Sequence, residues 1–527
     1  MKGLEMPHFF SQRVVRTLKW IFIVTAALTV ILFVGGSLLS SYITKEAQSR
    51  FDAAGGKFED LKVNLFTQSI TIQNIEFIDE GESNSGVATT AEVERIVLKN
   101  ISIYQLVAHN AISIGDVLIT EGNVAINRAI LPEDSAASTE EEEIRRLNIE
   151  RIKFSNLKVS IVNDTSKEFS GIINGTLTEL KSSDTAKVSD LDAYTLKDLD
   201  VSMTKLIISA SQFYSIQIAS VNANSHDRKL VIDSLHLIPK YSKYNFAQVV
   251  GKQTDRINAF IPKLAIDGLQ YNKLRDSSLV ASTIRISAAE VHSFRDKREP
   301  FRETKVKPLP IAALKGLNFG VEVDTIEIED LKVTYEEFAP EGFEAGTVVF
   351  EDLNATLTNM RNRNERDNPK YATLVASAKL MGQGLINATF QLPYREGEPY
   401  LAEGTIGKMS LDHLNAPLQN LAFIRVQSGT LQGMTFNFSY TDKASTGRVT
   451  INYEELKIES LKKEKSIVIN DLMTFLINTV IKNDKNKEVP IEERTGKVDF
   501  ERDRQRQIFN YWWKSLFSGI KSSIMDR

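Results

Sequence analysis

The sequence predicts a mainly β protein with an N-terminal transmembrane helix. The expected body is an elongated, curved, largely antiparallel sheet forming a groove, with a few short amphipathic helices and a C-terminal helix. Three observations lead there: one uninterrupted apolar run near the start, a period of two over most of the rest, and an i, i+4 apolar stripe at the end. Composition sets the outer limits. The 527 residues are 42% apolar with a formal net charge of −4, which excludes a chain disordered throughout. No cysteine is present, so there is no disulfide, thiolate metal site or cysteine nucleophile. The near-neutral balance argues against a global nucleic-acid binder.

The first element is the run WIFIVTAALTVILFVGGSLL, Trp20 to Leu39, which carries no charge. At about 1.5 Å per residue it makes roughly 30 Å of helix, the thickness of a bilayer core. It is too long for a signal-peptide core of about 7–15 residues and reads as a retained anchor. The residues expected in the membrane are Trp20, Ile21, Phe22, Ile23, Leu28, Ile31, Leu32, Phe33, Leu38 and Leu39. Arg13, Arg16 and Lys19 precede the run, so the positive-inside rule predicts a cytoplasmic N-terminus with the bulk of the chain on the other side.

After the anchor one unit recurs: two alternating apolar positions, two polar residues, then two more alternating apolar positions. Eleven copies begin at Ile70, Ile96, Ile112, Ile152, Tyr194, Leu230, Leu264, Ile284, Ile326, Val348 and Ile451. Ile70/Ile72/Ile75/Phe77 and Ile326/Ile328/Leu331/Val333 are clear examples, with Gln73-Asn74 and Glu329-Asp330 as the polar pairs. Successive strand side chains alternate faces, so a three-residue step would throw the second half onto the wrong face. A bulge or kink at the polar pair restores the face and bends the strand. Plain turns between short sandwich strands are the competing reading. The expected groove lining is Ile70, Ile72, Ile75, Phe77, Ile326, Ile328, Leu331, Val333, Phe436 and Phe438.

Helical signals are sparse. Phe246, Val249, Val250, Ile257, Phe260 and Ile261 mark one short amphipathic segment, and Leu472, Phe475, Leu476, Thr479 and Val480 another. The last, Phe500–Met525, is the strongest. Ile508, Trp512, Leu516, Ile520 and Ile524 repeat every four residues beside Phe509, Trp513 and Phe517, with cations at Arg502, Arg504, Arg506, Lys514 and Lys521. This pattern fits either a helix in a membrane interface or a cap packed on the end of the sheet. The expected organisation is therefore 1–19 cytoplasmic, 20–41 anchor, 42–310 and 311–465 β-rich, and 466–527 amphipathic helices.

No catalytic constellation occurs: no nucleophile elbow, Walker loop, zincin motif or dinucleotide fingerprint. Asp412-His413 and His226-Asp227 sit in loop-like contexts, and the run Glu140–Glu143 lacks the alternating spacing and turn glycine of a calcium loop. The reading is a non-enzyme with no cofactor and no metal. N-x-S/T sequons stand at Asn100, Asn163, Asn174, Asn354, Asn387 and Asn437, mostly in strand-like stretches.

Two segments carry a family resemblance. GGKFEDLKVNLFTQSITIQNIEFID (Gly55–Asp79), following a single anchor, resembles the opening of AsmA-like proteins. Ile424–Lys463 is similar to their C-terminal signature, with Ser428-Gly429, the alternating Met434, Phe436, Phe438 and Tyr440, the turn Gly447 and the strand Tyr453 to Ile458 in order. The resemblance implies a Gram-negative inner-membrane protein with a periplasmic β-groove of bridge-like lipid-transfer architecture. It further implies a part in moving phospholipid toward the outer membrane. Expected partners are the inner-membrane bilayer, phospholipid acyl chains and an outer-membrane or other envelope protein. The alternative is a non-catalytic assembly or scaffold protein whose apolar face is closed as a core.

Overall fold

A computed structural model describes residues 48–525 except 50, 53–55, 65, 80–88, 103, 106–108, 110, 128–145, 164–165, 184–193, 303–304, 364–368 and 462–494. The anchor Trp20–Leu39, the Leu472–Val480 segment and the acidic loop Pro132–Glu143 lie outside the described residues. Among the described residues no helix is long and apolar enough to cross a membrane. The chain divides into two compact units at residues 211–228, a different place from the 310/311 boundary read from sequence.

The first unit is a ladder of strands: β1 (Gly56–Asn64), β2 (Ser69–Asp79), β3 (Thr89–Ile101), β4 (Ile112–Asn127), β5 (Leu147–Asn163), β6 (Ser166–Ser182), β7 (Tyr194–Ile208) and most of β8 (Tyr214–Asn224). Each pairs with the next, antiparallel except β4–β5. The turn into β2 is set by Asn64, whose side-chain oxygen accepts from the backbone N–H of Phe66 and Thr67 at 3.0 and 3.1 Å. The parallel β4–β5 pair needs a long connection, and residues 128–146 separate the two strands in the chain.

The second unit runs from β9 (Lys229–Pro239) through β10 (Asp255–Asp267), β11 (Ser278–Ser287), β12 (Glu290–Asp296), β13 (Gly320–Phe338), β14 (Ala345–Arg361) and β15 (Tyr371–Leu380). It continues with β16 (Gly384–Pro393), β17 (Tyr400–Ile406), β18 (Met409–Ser410), β19 (Ile424–Tyr440), β20 (Ala444–Ser460) and β21 (Thr495–Glu501). Strands β11 and β12 form one broken rank, since β10 pairs with both antiparallel and β13 with both parallel. From β13 onward every pairing is antiparallel, β17 and β18 both lying on β19. The fold is thus mainly β, largely antiparallel, with few short helices, as expected.

Among the described residues, four α-helices of five or more residues punctuate this unit: α1 (Asn245–Val250), α2 (Tyr271–Arg275), α3 (Pro310–Lys315) and α4 (Ile508–Met525). Short helical turns run from Leu411 to Ala422 between β18 and β19. Two expectations need correction. The amphipathic segment from Phe246 to Ile261 is helical only to Val250. Gly251 ends α1 with φ +77°, and Ile257, Phe260 and Ile261 belong to β10. Likewise Phe500 is not helical but sits in β21, whose alternation of Gly496, Val498 and Phe500 carries a strand signal too short to stand out from the helical stripe beyond it.

Candidate functional site

The recurring unit has a backbone counterpart. In nine of the eleven copies the second residue of the polar pair takes left-handed φ: Asn74, Asn100, Asn156, Ser234, Gly268, Ala288, Asp330, Asp352 and Glu455. One such residue rotates the chain so that the apolar positions on both sides point the same way. The two exceptions have the left-handed residue on the facing strand. Gly115-Asp116 lies opposite Asn100, between the pairs Lys99–Asp116 and Ile101–Ile114. Lys197-Asp198 lies opposite Glu179, between Thr178–Asp198 and Leu180–Leu196. The kinks therefore align across neighbouring strands. Glu121 on β4 stands beside Asn156 on β5, flanked by Thr120–Ser155 and Gly122–Leu157.

Two mechanisms keep the ladders closed through the kink. In β1–β4 all neighbours change phase at the same row, so register is unbroken. In β5–β6 and β13–β14 true register shifts occur, at Phe154/Leu157 and Ile328/Leu331. There an asparagine on the partner strand accepts the freed N–H: Asn156 donates to Asn174 Oδ1 at 2.8 Å, and Asp330 to Asn354 Oδ1 at 3.2 Å.

The consequence is a consistently apolar face within each unit, closed to different degrees in the two. In the first, Ile70, Ile72, Ile75 and Phe77 are no more than 8% exposed and pack with Phe51, Ile96, Leu98, Ile114 and Ile149 or, for Phe77, with Ala91, Val124 and Ile126. These four expected lining residues are core. In the second unit one row crosses nine strands: Leu230, Ile266, Ile284, Ile326, Leu357, Leu374, Phe390, Ala402 and, on β19, Phe438. Ala402 and Phe438 are 1% exposed, whereas Ile326, Leu357, Leu374 and Phe390 are only half-buried. The adjacent row places Ile328, Ala355, Ala376, Ala388 and Gly404 side by side before Phe436. Three alanines and a glycine leave a low floor between taller apolar neighbours. Ile328, Leu331 and Val333 are also half-buried, while Phe436 is buried.

The two ends of this face differ. At one end Asp255 and Arg295 form a bidentate pair at 2.6–2.7 Å. Beside them Tyr335 donates to Glu337 at 2.8 Å, and Lys297 pairs with Glu337 at 2.6 Å. Burial, with the Glu337 charge, pushes the Tyr335 phenol well above its ordinary value. These charges balance within the cluster. At the other end α4 packs over β20 and β21. Trp512 stacks on Phe390 at 4.3 Å and meets Tyr440 edge-on at 6.3 Å. Ser518 and Ser522 hydroxyls accept the outward N–H groups of Asp499 and Lys497 at 3.2 and 3.1 Å, so α4 also covers the β21 edge. Ile508, Trp512, Leu516 and Ile520 face the sheet core and Phe517 is buried, while Phe509 and Trp513 face outward.

A separate depression of about 830 Å³ lies on the opposite, polar face, over the backbone of the alanine row and walled by Glu327, Asn354, Thr356, Val375, Ser377, Asn387, Thr389 and Glu403. Asp412 and His413 sit 3.1 Å apart in an exposed turn, the Ser410 hydroxyl and then His413 holding the Asp412 carboxyl below its ordinary range. No cluster of metal-ligating side chains exists among the described residues. No protein-family model matches the chain, and neither does any curated protein.

Proposed function

We propose that this chain is an AsmA-like envelope protein, held in the inner membrane by Trp20–Leu39 with its β-rich part in the periplasm. On this reading the apolar face of the second unit holds phospholipid acyl chains and serves phospholipid transfer or homeostasis between the two membranes. One observation carries it: aligned left-handed kinks keep apolar side chains on a single face, and from Ile326 to Phe390 that face is only half-buried. An acyl chain needs no polar partner there, only apolar area removed from water at about 25 cal/mol per Å². The charge-balanced cluster of Asp255, Arg295, Lys297 and Glu337 offers a zwitterionic end to such a lining.

A photo-crosslinking amino acid at Ile328 tests this in the full-length protein within native membranes. The expected result is a phospholipid adduct at Ile328 and none at Val375, which is 51% exposed on the opposite face. No adduct at Ile328, or equal adducts at both, refutes the proposal. The scaffold reading draws support from the first unit, where the corresponding face is closed. A photo-crosslinker at Ile72 is expected to give no lipid adduct on either reading. Protein adducts confined to exposed faces, with none at Ile328, would favour the scaffold.

A further inference from the structure

Helix α4 has an outer face that its packing on the sheet leaves unused. Phe509 is 74% exposed and Trp513 52% exposed, one turn apart. Trp513 stacks on Phe517 at 6.1 Å and Phe509 meets the edge of Trp512 at 5.4 Å, so the two form part of an ordered aromatic stripe. The helix cannot roll to hide them. Its inner face is fixed by the Phe390–Trp512 stack, the Ser445–Ser515 hydroxyl contact at 2.7 Å, and the serine hydroxyls on β21. The helix contains no acidic residue and carries Lys514 and Lys521, which form no ion pair among the described residues. By contrast, the preceding Arg504 and Arg506 are already matched to Asp442 and Asp503.

We propose that the outer face of α4 docks on the surface of an anionic lipid bilayer. Phe509 and Trp513 enter the interfacial layer, and Lys514 and Lys521 meet the headgroups. Exposed aromatics with uncompensated lysines are the side chains such an interface takes, the ring bodies apolar and the indole N–H reaching water or headgroup oxygen. Charge decides between this occupant and a second copy. A two-fold contact would bring the same unpaired lysines of both chains together, whereas an anionic surface neutralises them. With only two exposed rings the contact is weak, reversible and salt-sensitive. It does not depend on lipid occupying the sheet.

The absence of native cysteine permits a site-specific probe. The full-length Phe509→Cys protein, labelled with an environment-sensitive fluorophore, is held in nanodiscs. Spin-labelled lipid is placed in those nanodiscs in one arm and in added phosphatidylcholine–phosphatidylglycerol vesicles in the other. The expected result is quenching in at least one arm, largely lost at high salt and lost in the Trp513→Asp background. Trp513 is exposed, so that change spares the packing of Trp512; an unchanged melting temperature verifies it. Lack of quenching in both arms overturns the proposal. Quenching indifferent to Trp513→Asp overturns it too, as does a lipid-independent signal that rises with protein concentration, which would mean self-association.

Discussion

The backbone N–H of Asp330 donates to the side-chain oxygen of Asn354 on the next strand at 3.2 Å, at the point where β13 turns left-handed. Asp330 has φ +53°, and the register between the strands slips there by one residue before recovering. The donor freed by the kink thus finds its acceptor across the strand pair. Asn156 and Asn174 repeat the arrangement in the first unit at 2.8 Å. A polar pair inside an apolar pattern is therefore a geometric device, and the partner asparagine completes it.

Substitutions at Asp330 should separate backbone conformation from side-chain chemistry. Asp330→Gly is expected to be neutral or stabilising, because glycine adopts positive φ without a steric penalty. Asp330→Val should cost about 1–3 kcal/mol, since a β-branched residue there is strained. Asn354→Ala should cost about 1 kcal/mol through the stranded N–H. Urea unfolding of the three variants checks the order. Equal losses for glycine and valine would mean the carboxylate, not the backbone, matters.

The kinks were legible in the sequence because a three-residue step between apolar pairs has only one strand-compatible solution that keeps the face. Asn100 and Glu179 show where that reading stops. For the copies at Gly115-Asp116 and Lys197-Asp198 the left-handed residue stands across the ladder, and pairing partners are not encoded in any local pattern. The depth of burial was also hidden. Ile72 and Ile328 occupy the same place in the repeat, yet one is 1% exposed and the other half-buried. What covers an apolar face is decided by distant elements. The division of α4 into an inner stripe with Trp512 and an outer one with Trp513 was similarly open, because adjacent tryptophans fit either a cap or an interface until the sheet is in place.

Close approach of two glycines sets the seat of α4. A Cβ on Gly496 of β21 would lie 2.0 Å from the carbonyl oxygen of Gly519, and one on Gly519 would lie 2.6 Å from Val449. Gly519→Val should lift the helix and expose the β21 edge, at a cost of about 1–3 kcal/mol from overpacking. Limited proteolysis near Arg504 and Arg506 should accelerate. Unchanged proteolysis and melting would show that the helix adjusts without leaving its seat.

Alkaline pH should loosen the same seat. Burial pushes the Tyr511 phenol from 10 up to about 12, and Tyr440 moves in the same direction for the same reason. With the folded value above the unfolded one, the contribution is complete below pH 10 and is lost as pH climbs toward 12. Stability measured by urea unfolding should fall across that window, accompanied by tyrosinate absorbance. In Tyr511→Phe the fall should be smaller. That variant also loses the hydrogen bond to the Thr441 carbonyl, about 1 kcal/mol at neutral pH. An identical alkaline slope in both proteins would assign the effect elsewhere.

Arg502 ties three segments together beneath α4. Its side chain is fully buried, donates to Asp442 and to the Lys307 carbonyl, and lies 5.4 Å from the Tyr511 ring. Asp442 remains 43% exposed, so the two partners are not equivalent. Removing the carboxylate in Asp442→Ala leaves a buried guanidinium short of an acceptor and should cost about 3 kcal/mol or more. Arg502→Met removes the buried charge and keeps an unbranched stem of similar reach, while the carboxylate left behind regains water and still has Arg504 at 2.6 Å. It should therefore cost less than Asp442→Ala, although the exposed residue looks the safer one to mutate. Arg502→Lys should fall between them, because an ammonium on that stem cannot serve Asp442 and the Lys307 carbonyl with the same fork. Thermal unfolding of the three variants decides the ranking. A larger loss in Arg502→Met than in Asp442→Ala would show that the guanidinium stabilises this junction by more than its burial costs.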